Sequence, residues 1–184
     1  MMKKIPVVFN YIFYAFIILI ISLYFLTNCD TKYNNKPIWP CPYDNRLTNI
    51  YISKPDDQYT SMSLFDIYSF THVSHGMLLF LILSYIFKTK SPYMIFVALG
   101  LEIIWEIIEN SEFIINKYRS ENELSRNYSG DSIINSIGDI LSCFIGFIIA
   151  WSFPQYIIPI ILINEITLYM LIKDNLLTNM IQIF

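Results

Sequence analysis

The stretch that decides the fold is SFTHVSHGMLLFLILSYIF, residues 69–87, which contains no charged side chain apart from its two histidines. A helix needs about 20 mostly apolar residues to cross the hydrocarbon core of a bilayer, so this stretch predicts a transmembrane helix. His72 and His75, the two histidines of the chain, lie near its beginning. Ionisable groups inside a membrane span are costly and commonly mark a functional site.

The composition of the whole chain supports a membrane protein. Hydrophobic residues make up 55% of its 184 residues and charged residues only 15%, whereas a soluble domain averages roughly 45–50% and about 25%. This balance excludes a disordered chain and a small disulfide-rich scaffold. The net charge is −3 and no basic block is present, which argues against a nucleic-acid partner. The lipid bilayer is therefore the expected partner, and no protein partner is predicted.

Four further stretches resemble residues 69–87 in length and apolar character. Together they predict transmembrane helices over residues 6–27, 69–87, 92–110, 132–153 and 155–172. The polar stretch 28–68 is too hydrophilic to cross a bilayer and is long enough to form a small folded cap. The predicted fold class is an all-α, polytopic membrane helix bundle, one integral membrane domain over residues 1–184 with one long extramembrane loop.

The first predicted span also raises the question of a secretory signal peptide. Its apolar core exceeds the 7–15 residues usual for a signal peptide, which favours an uncleaved helix, with cleavage as the alternative. Cys29 and Cys41 follow in the polar stretch. They pair if that stretch lies in an oxidising compartment, and two free thiols are the equal alternative.

Basic residues give the expected orientation. Lys3 and Lys4 flank the first span directly, and cytoplasmic enrichment of Lys and Arg then places the N-terminus inside. This orientation puts the polar stretch 28–68 on the outer side of the cell inner (plasma) membrane. Basic residues in the loops on that side outnumber those on the other, which is the argument for the reverse orientation.

Ionisable and amide side chains collect at one end of the last four spans. Because successive helices alternate in direction, the start of the second span, the end of the third, the start of the fourth and the end of the fifth share one side of the membrane. The polar residues at those four places are His72, His75, Glu106, Glu109, Asp131, Asn135, Asp174 and Asn175. The other half of the spans is nearly pure hydrocarbon, which argues against a simple channel.

Helical spacing places these polar residues in stripes. Glu102, Glu106 and Glu109 are spaced four and then three residues apart, so they share one face of the third span. Asp131, Asn135 and Asp139 form the matching stripe at the fourth span. Since a carboxylate at mid-membrane costs roughly 2.5–3.5 kcal/mol on insertion scales, such stripes face the bundle interior and pair with one another. We expect a polar pocket that opens to one surface.

The residue types suggest roles for individual members of this pocket. Imidazole and carboxylate groups are ligands for zinc, iron or manganese, and crowded carboxylates can provide an acid beside a base. The candidate metal ligands, for a possible divalent metal, are His72, His75 and Glu106. The candidate catalytic residues are Glu106, Glu109, Asp131 and His75. The candidate substrate-binding residues are Arg119, Asn135, Asn110, Asp174 and Asn175, with Arg119 as the group for an anionic head group.

Two functions fit these observations. The first is a small membrane enzyme that acts on a lipid or lipid-linked head group, because catalysis uses this kind of one-sided ionisable cluster. The second is a non-enzymatic binding or assembly protein, in which the cluster is a ligand pocket or a hydrogen-bonded network that joins helices. The sequence alone does not choose between them.

Several of these segments also carry a family resemblance. Over residues 68–184 the motifs are Thr71-His-x-x-His-Gly76, Trp105-Glu-x-x-Glu-Asn110, Gly130-Asp-Ser-x-x-Asn-Ser-x-x-Asp139 and Asp174-Asn-Leu-x-x-Asn179. In this order they resemble a family of uncharacterised inner-membrane proteins best known from alphaproteobacteria. The resemblance implies an integral membrane protein and no established reaction.

A more distant pattern is similar to the VanZ-like membrane proteins. Those proteins show a His early in one helix, a Glu in the next, an Arg in the loop, and Asp-x-x-x-Asn-x-x-Gly at the start of another. The matching positions here are His75, Glu102 or Glu106, Arg119, Asp131, Asn135 and Gly138. This similarity implies a role in the cell envelope.

Overall fold

The computed structural model describes residues 32–33, 36–37, 50–57, 59–88, 91–121 and 123–183. The predicted span 6–27, its possible cleavage, the orientation argument from Lys3 and Lys4, and the pairing of Cys29 with Cys41 fall outside the described residues. The chain separates into two compact units, Met1–Cys41 and Pro42–Phe184, and the single integral membrane domain over residues 1–184 stays a prediction.

Short strand pairs occur in both units. In the first unit, β1 (Lys32–Tyr33) pairs antiparallel with β2 (Lys36–Pro37). In the second unit, β3 (Tyr51–Ile52) pairs in parallel with β4 (Phe65–Asp66), with Tyr51 opposite Phe65. This second pair lies within the predicted polar stretch 28–68, and β4 ends shortly before the helix that begins at Ser69.

Helices dominate the second unit, which confirms the predicted all-α class. In chain order they are α1 (Ser69–Phe87), α2 (Met94–Glu109), α3 (Glu112–Glu121), α4 (Ile133–Ser152), α5 (Ile157–Ile172) and α6 (Leu176–Ile183), with a 3-10 turn at Pro154–Tyr156 before α5. The turn begins at a proline, whose missing N–H costs little in the first turn of a helix.

Among the described residues, three helical segments are long and apolar enough to cross a membrane: Ser69–Phe87, Ile133–Ser152 and Pro154–Ile172. These segments coincide within about two residues with three of the predicted spans. The predicted span 92–110 is the shorter helix α2, which has 16 residues. At 1.5 Å per residue it is about 24 Å long, less than the roughly 30 Å of a hydrocarbon core.

Two helices were not expected from the hydropathy pattern. Helix α3 lies between the predicted spans 92–110 and 132–153 and buries Ile114 and Tyr118, which are four residues apart on one face. Helix α6 follows Asn175, whose Oδ1 accepts a hydrogen bond from Thr178 N while Asn175 N donates to Thr178 Oγ1. This reciprocal cap satisfies backbone donors at the helix start.

Close packing of α1 against α4 organises the second unit. A Cβ added at Gly76 would lie 1.9 Å from the carbonyl oxygen of Cys143, and one added at Gly146 would lie 2.0 Å from that of Val73. Only glycine permits such an approach, so the two backbones are in direct contact. Beyond the crossing, Phe80 and Phe147 pack edge to face with ring centroids 5.4 Å apart.

We predict that Gly76→Ala destabilises the protein, because the new methyl group meets a backbone carbonyl that cannot move aside. Overpacking of a core costs roughly 1–3 kcal/mol, so the thermal unfolding midpoint in detergent should fall by several degrees. Gly100→Ala is the matched control, since nothing lies within 4 Å of a Cβ built on helical Gly100. An equal fall in both variants would contradict the proposed helix contact.

Candidate functional site

The site is organised around His72, which lies on α1 and is only 5% exposed. Its Nδ1 is 2.6 Å from Oε1 of Glu102 on α2, a carboxylate that is 2% exposed. This contact is short and buried, and it fixes the orientation of the imidazole ring. The interior pairing of polar stripes expected from the sequence is therefore present between α1 and α2.

Glu102 also approaches the second histidine. Its Oε2 is 3.4 Å from Nδ1 of His75, and the two imidazole rings stand nearly perpendicular with centroids 5.3 Å apart. His75 further contacts Trp105 edge to face. One carboxylate thus lies between both histidines. The sequence placed Glu102 in the α2 stripe without assigning it a role from chemistry, and its four-residue spacing from Glu106 was the available signal.

Helix α4 provides the carboxylate on the other side of His72. Oδ2 of Asp139 lies 3.9 Å from Nε2 of His72, and Oδ1 of Asp139 accepts a 2.8 Å hydrogen bond from Ser69 Oγ. Gly138, next to Asp139, faces the backbone of Leu64 so closely that a Cβ there would lie 1.6 Å from its carbonyl oxygen. Close packing of α4 against the backbone of Leu64 therefore sets the position of Asp139.

Glu106 and Glu109 complete the α2 stripe, and both have unsatisfied oxygens. Glu106 is 5% exposed, and neither of its carboxylate oxygens has a hydrogen-bond partner among the described residues. Its Oε1 lies 3.5 Å from His72 Nδ1. Glu109 Oε1 accepts a 3.2 Å hydrogen bond from Tyr118 OH, while its Oε2 is buried without a partner in the described part of the chain.

Two groups of side chains in this cluster could hold a metal ion. One is His72, His75 and Glu102, and the other is His72, Glu106 and Glu109, with the ligand atoms of each group within 4.8 Å of one another. The sequence predicted a ligand set of His72, His75 and Glu106. In the structure His75 belongs to the first group and Glu106 to the second. The predicted ligand set is therefore divided between two groups that share His72.

A cavity of about 630 Å³ leads from the surface to this cluster. Exposed Asp56 and Glu123 lie at its mouth, and buried His72 and Asp139 line its inner end. Eight of its lining residues are carboxylates: Asp56, Asp57, Asp66, Glu109, Glu123, Asp131, Asp139 and Asp174. The lining of this cavity within the described part of the chain contains no Lys or Arg.

Asp131 stands at the centre of a small network in the cavity wall. Its Oδ2 accepts hydrogen bonds from Tyr128 OH at 2.8 Å and from Asn110 Nδ2 at 3.2 Å, and its backbone N donates to Asn110 Oδ1 at 2.6 Å. Burial raises the pKa of the Asp131 carboxyl, and these hydrogen bonds oppose the rise. Asn110 thus positions Asp131 and does not itself line the cavity.

Asp66 is a site residue that the sequence reasoning missed. Its Oδ1 accepts hydrogen bonds from the backbone of Tyr68 and Ser69, and Ser69 Oγ accepts one from Asp66 N, which caps the start of α1. Asn135 Nδ2 donates to Ser63 O at 2.9 Å beside it. Burial raises the pKa of the Asp66 carboxyl. The spacing Asp-x-x-Ser before an apolar run was the signal for this cap.

The remaining predicted substrate-binding residues are separated by the structure. Asp174 is buried and lines the cavity. Asn175 instead caps α6 and donates from Nδ2 to the carbonyl oxygen of Glu165. Arg119 is exposed on α3, does not line the cavity, and donates from Nε to the carbonyl oxygen of Tyr128. The predicted role of Arg119 in holding an anionic head group stays a prediction.

Fold and site together define a membrane-helix protein with an acidic cavity that ends at a buried histidine–carboxylate cluster. The chain belongs to the DUF2585 family, described as a protein of unknown function, whose model matches residues 35–184. This confirms the resemblance to an uncharacterised alphaproteobacterial family. The VanZ-like similarity stays a prediction.

Relatives in the same family come from several bacteria. A UPF0314 protein of Brucella anthropi is 39% identical over 126 residues, which is 67% of this chain and 63% of the relative. A UPF0314 protein of Sphingopyxis alaskensis is 32% identical over 149 residues, 80% of this chain and 77% of the relative. The chain therefore spans less than two thirds of the Brucella protein. No solved structure matches the chain.

We predict that stability falls as the pH rises above about 4, because the folded protein holds protons on Asp66 and Asp131 more tightly than the unfolded chain. Both carboxyls have a raised pKa when folded, so their contribution is greatest at low pH and declines as the pH passes through the raised values. The measurement is the unfolding midpoint in detergent between about pH 4.5 and 7.5.

Asp131→Asn tests the contribution of one residue to this decline. The amide oxygen can still accept from Tyr128 OH, but the side chain no longer titrates, so the decline with pH should be smaller than in the wild type. Glu112→Gln removes an exposed carboxylate outside the cavity and should leave the decline unchanged. The explanation fails if Asp131→Asn and the wild type show the same slope.

Proposed function

We propose that this protein is an integral membrane enzyme that binds a divalent cation between His72, Glu106 and Glu109 and acts on a lipid or lipid-linked head group in the cavity. The observation that carries the proposal is Glu106, a buried carboxylate with no hydrogen-bond partner for either oxygen among the described residues. We place the enzyme in the cell inner membrane with the cavity on the outer side, as the sequence predicts.

The energetics of Glu106 favour a cation as its missing partner. Leaving one buried polar group unsatisfied costs roughly 1–3 kcal/mol, and more when the group is charged. Hydrogen bonds satisfy Asp66, Asp131 and Asp139, so among the buried carboxylates of the described residues the oxygens without a partner belong to Glu106 and Glu109. A cation between His72, Glu106 and Glu109 would satisfy Glu106 and the free oxygen of Glu109 together.

The donor set also fits a divalent metal. One imidazole and two carboxylates are nitrogen and oxygen donors that zinc, iron and manganese accept. Metal-binding histidines usually donate from their other ring nitrogen to a carboxylate, which orients the ring. Glu102 contacts Nδ1 of His72 at 2.6 Å and provides such a partner, which leaves Nε2 as the nitrogen for the cation. Tyr118 similarly holds Glu109 through its hydroxyl.

Hydrolysis is the reaction class that this arrangement supports. In it the oxygen of water bonds to the phosphorus or carbonyl carbon of the head group, the ester bond breaks, and the proton passes to the departing oxygen. A bound divalent cation would polarise the head-group oxygen. Asp139, 3.9 Å from His72 Nε2 and on the cavity wall, is placed to hold the proton of the water.

We predict that the purified wild-type protein binds about one divalent ion per chain and that Glu106→Gln weakens binding at least about ten-fold, because the amide replaces an anionic ligand. Elemental analysis of the purified protein and titration with Mn²⁺ or Zn²⁺ provide the measurement. Glu165→Gln is the matched control, since Glu165 is a carboxylate of α5 outside both candidate metal groups.

Stability measurements separate loss of the ion from loss of folding. If Glu106→Gln unfolds at the wild-type temperature in the absence of metal, weakened binding reports on the site itself. A wild-type protein that takes up no divalent ion in the titration overturns the metal site. The cluster would then serve as the helix-joining network or ligand pocket of a non-enzymatic protein.

Turnover is the direct test of the enzymatic proposal. We predict that wild-type protein in vesicles made from a bacterial lipid extract converts one lipid class when Mn²⁺ or Zn²⁺ is present, as followed by mass spectrometry of the lipids. Glu106→Gln should lose this activity at least about a hundred-fold, because the cation would supply several kcal/mol of stabilisation in the transition state. Unchanged lipid profiles in the metal-loaded wild type would contradict the proposal.

A further inference from the structure

We infer that the head group admitted to the cavity is zwitterionic, with an ammonium nitrogen next to a phosphate. This inference rests on the proposed function, because it uses the cation at His72, Glu106 and Glu109 as the partner of the phosphate. It adds the substrate class, which the cluster alone does not give.

The charge of the cavity wall is the first argument. Eight carboxyl groups line the cavity, and its described lining offers no Lys or Arg to balance them. Burial raises the pKa of Asp66 and Asp131, so the negative charge of the wall lies mainly with exposed acids such as Asp56 and Glu123 at the mouth, away from the cation proposed for the inner end. A purely anionic head group would therefore enter against a negative wall, whereas a positive group is attracted along it.

The order of groups along the cavity is the second argument. Buried His72 marks the inner end, and exposed Asp56 and Glu123 mark the mouth. A phosphate that reaches the cation at the inner end leaves the rest of its head group beside the outer acids. Arg126 pairs with Glu123 at 3.8 Å, but both side chains are largely exposed and Arg126 does not line the cavity.

Aromatic rings in the wall provide the third argument. Tyr118 and Tyr128 both line the cavity, and their rings meet edge to face with centroids 5.8 Å apart. Tyr68 lines the cavity as well. The negative faces of tyrosine rings attract an ammonium group, and aromatic rings are a common recognition surface for ammonium ligands.

Glu106 is a second feature, separate from the acidic wall, that indicates a ligand. It is 5% exposed and has no hydrogen-bond partner among the described residues. It lies in one candidate ligand group with His72 and Glu109, the two members of that group that line the cavity. With the cation of the proposed function bound to this group, the cavity ends at a positive charge, and a phosphate is the part of a head group that such a cation binds.

The test compares two lipids that differ mainly in the ammonium group. Short-chain phosphatidylethanolamine and phosphatidylglycerol are titrated calorimetrically into the Mn²⁺-loaded full-length protein in detergent. We expect phosphatidylethanolamine to bind about ten-fold more tightly, equivalent to about 1.4 kcal/mol. Equal binding, or tighter binding of phosphatidylglycerol, would overturn the inference.

A charge-matched pair of variants links this preference to the cavity mouth. Asp56→Asn combined with Asp57→Asn should reduce the preference to about three-fold or less, because it removes two wall charges. The introduced amide oxygen can replace Asp57 Oδ1 as the acceptor for Tyr59 N. Glu112→Gln combined with Glu121→Gln removes two charges outside the cavity and should keep the preference. Equal effects of both double variants would overturn the assignment to the mouth.

Two further measurements separate the possible failures. Titration of the lipid-free protein with Mn²⁺ tests the proposed function, and loss of the lipid preference in a protein that binds Mn²⁺ overturns only the zwitterionic inference. Soluble phosphoethanolamine carries the same ammonium and phosphate groups. If it binds more weakly than the lipid, the ligand is lipid-borne; if it binds as tightly, the ammonium–phosphate chemistry is supported and the lipid source is overturned.

Discussion

The backbone contact between α1 and α4 is the constraint on which the rest of the site depends. Gly76 and Gly146 bring the two helices together without intervening side chains. His72 is one turn before Gly76 on α1 and Asp139 is about two turns before Gly146 on α4, so the helix contact made by these glycines brings His72 and Asp139 to 3.9 Å. A wider crossing would leave the imidazole paired only with α2 and would open the inner end of the cavity.

Hydrogen-bond satisfaction of buried carboxylates distinguishes a ligand site from a network that only joins helices. In a packing network every buried polar group finds a partner, because an unsatisfied one destabilises the fold. Asp66, Asp131 and Asp139 follow this rule through hydrogen bonds to backbone or hydroxyl groups. Among the described residues neither oxygen of Glu106 has a partner in hydrogen-bond geometry, although His72 Nδ1 lies 3.5 Å from Oε1 and Ser136 is a polar neighbour. A ligand that supplied the missing partner would relieve the cost of burying this carboxylate.

Much of this arrangement could be predicted from the sequence, because hydropathy and helical spacing are regular. The predicted span 69–87 coincides with α1, and the four-residue spacing in α2 placed its three glutamates on the face toward His72. Side-chain partners in loops could not be predicted in this way. The cap formed by Asp66 depends on local backbone geometry. The division of His75 and Glu106 between two triads depends on how α2 packs against His72.

The placement of the basic residues explains why the cavity is so strongly acidic. Arg119 is the residue that the sequence suggested for an anionic ligand, but its guanidinium holds the carbonyl of Tyr128 and so fixes the loop that carries Asp131. Lys173 likewise lies over the ring of Tyr169, with Nζ 5.5 Å from its centroid, and does not line the cavity. Because both cations serve the scaffold, neither supplies positive charge to the cavity wall, and the buried acids Asp66 and Asp131 have raised pKa values there.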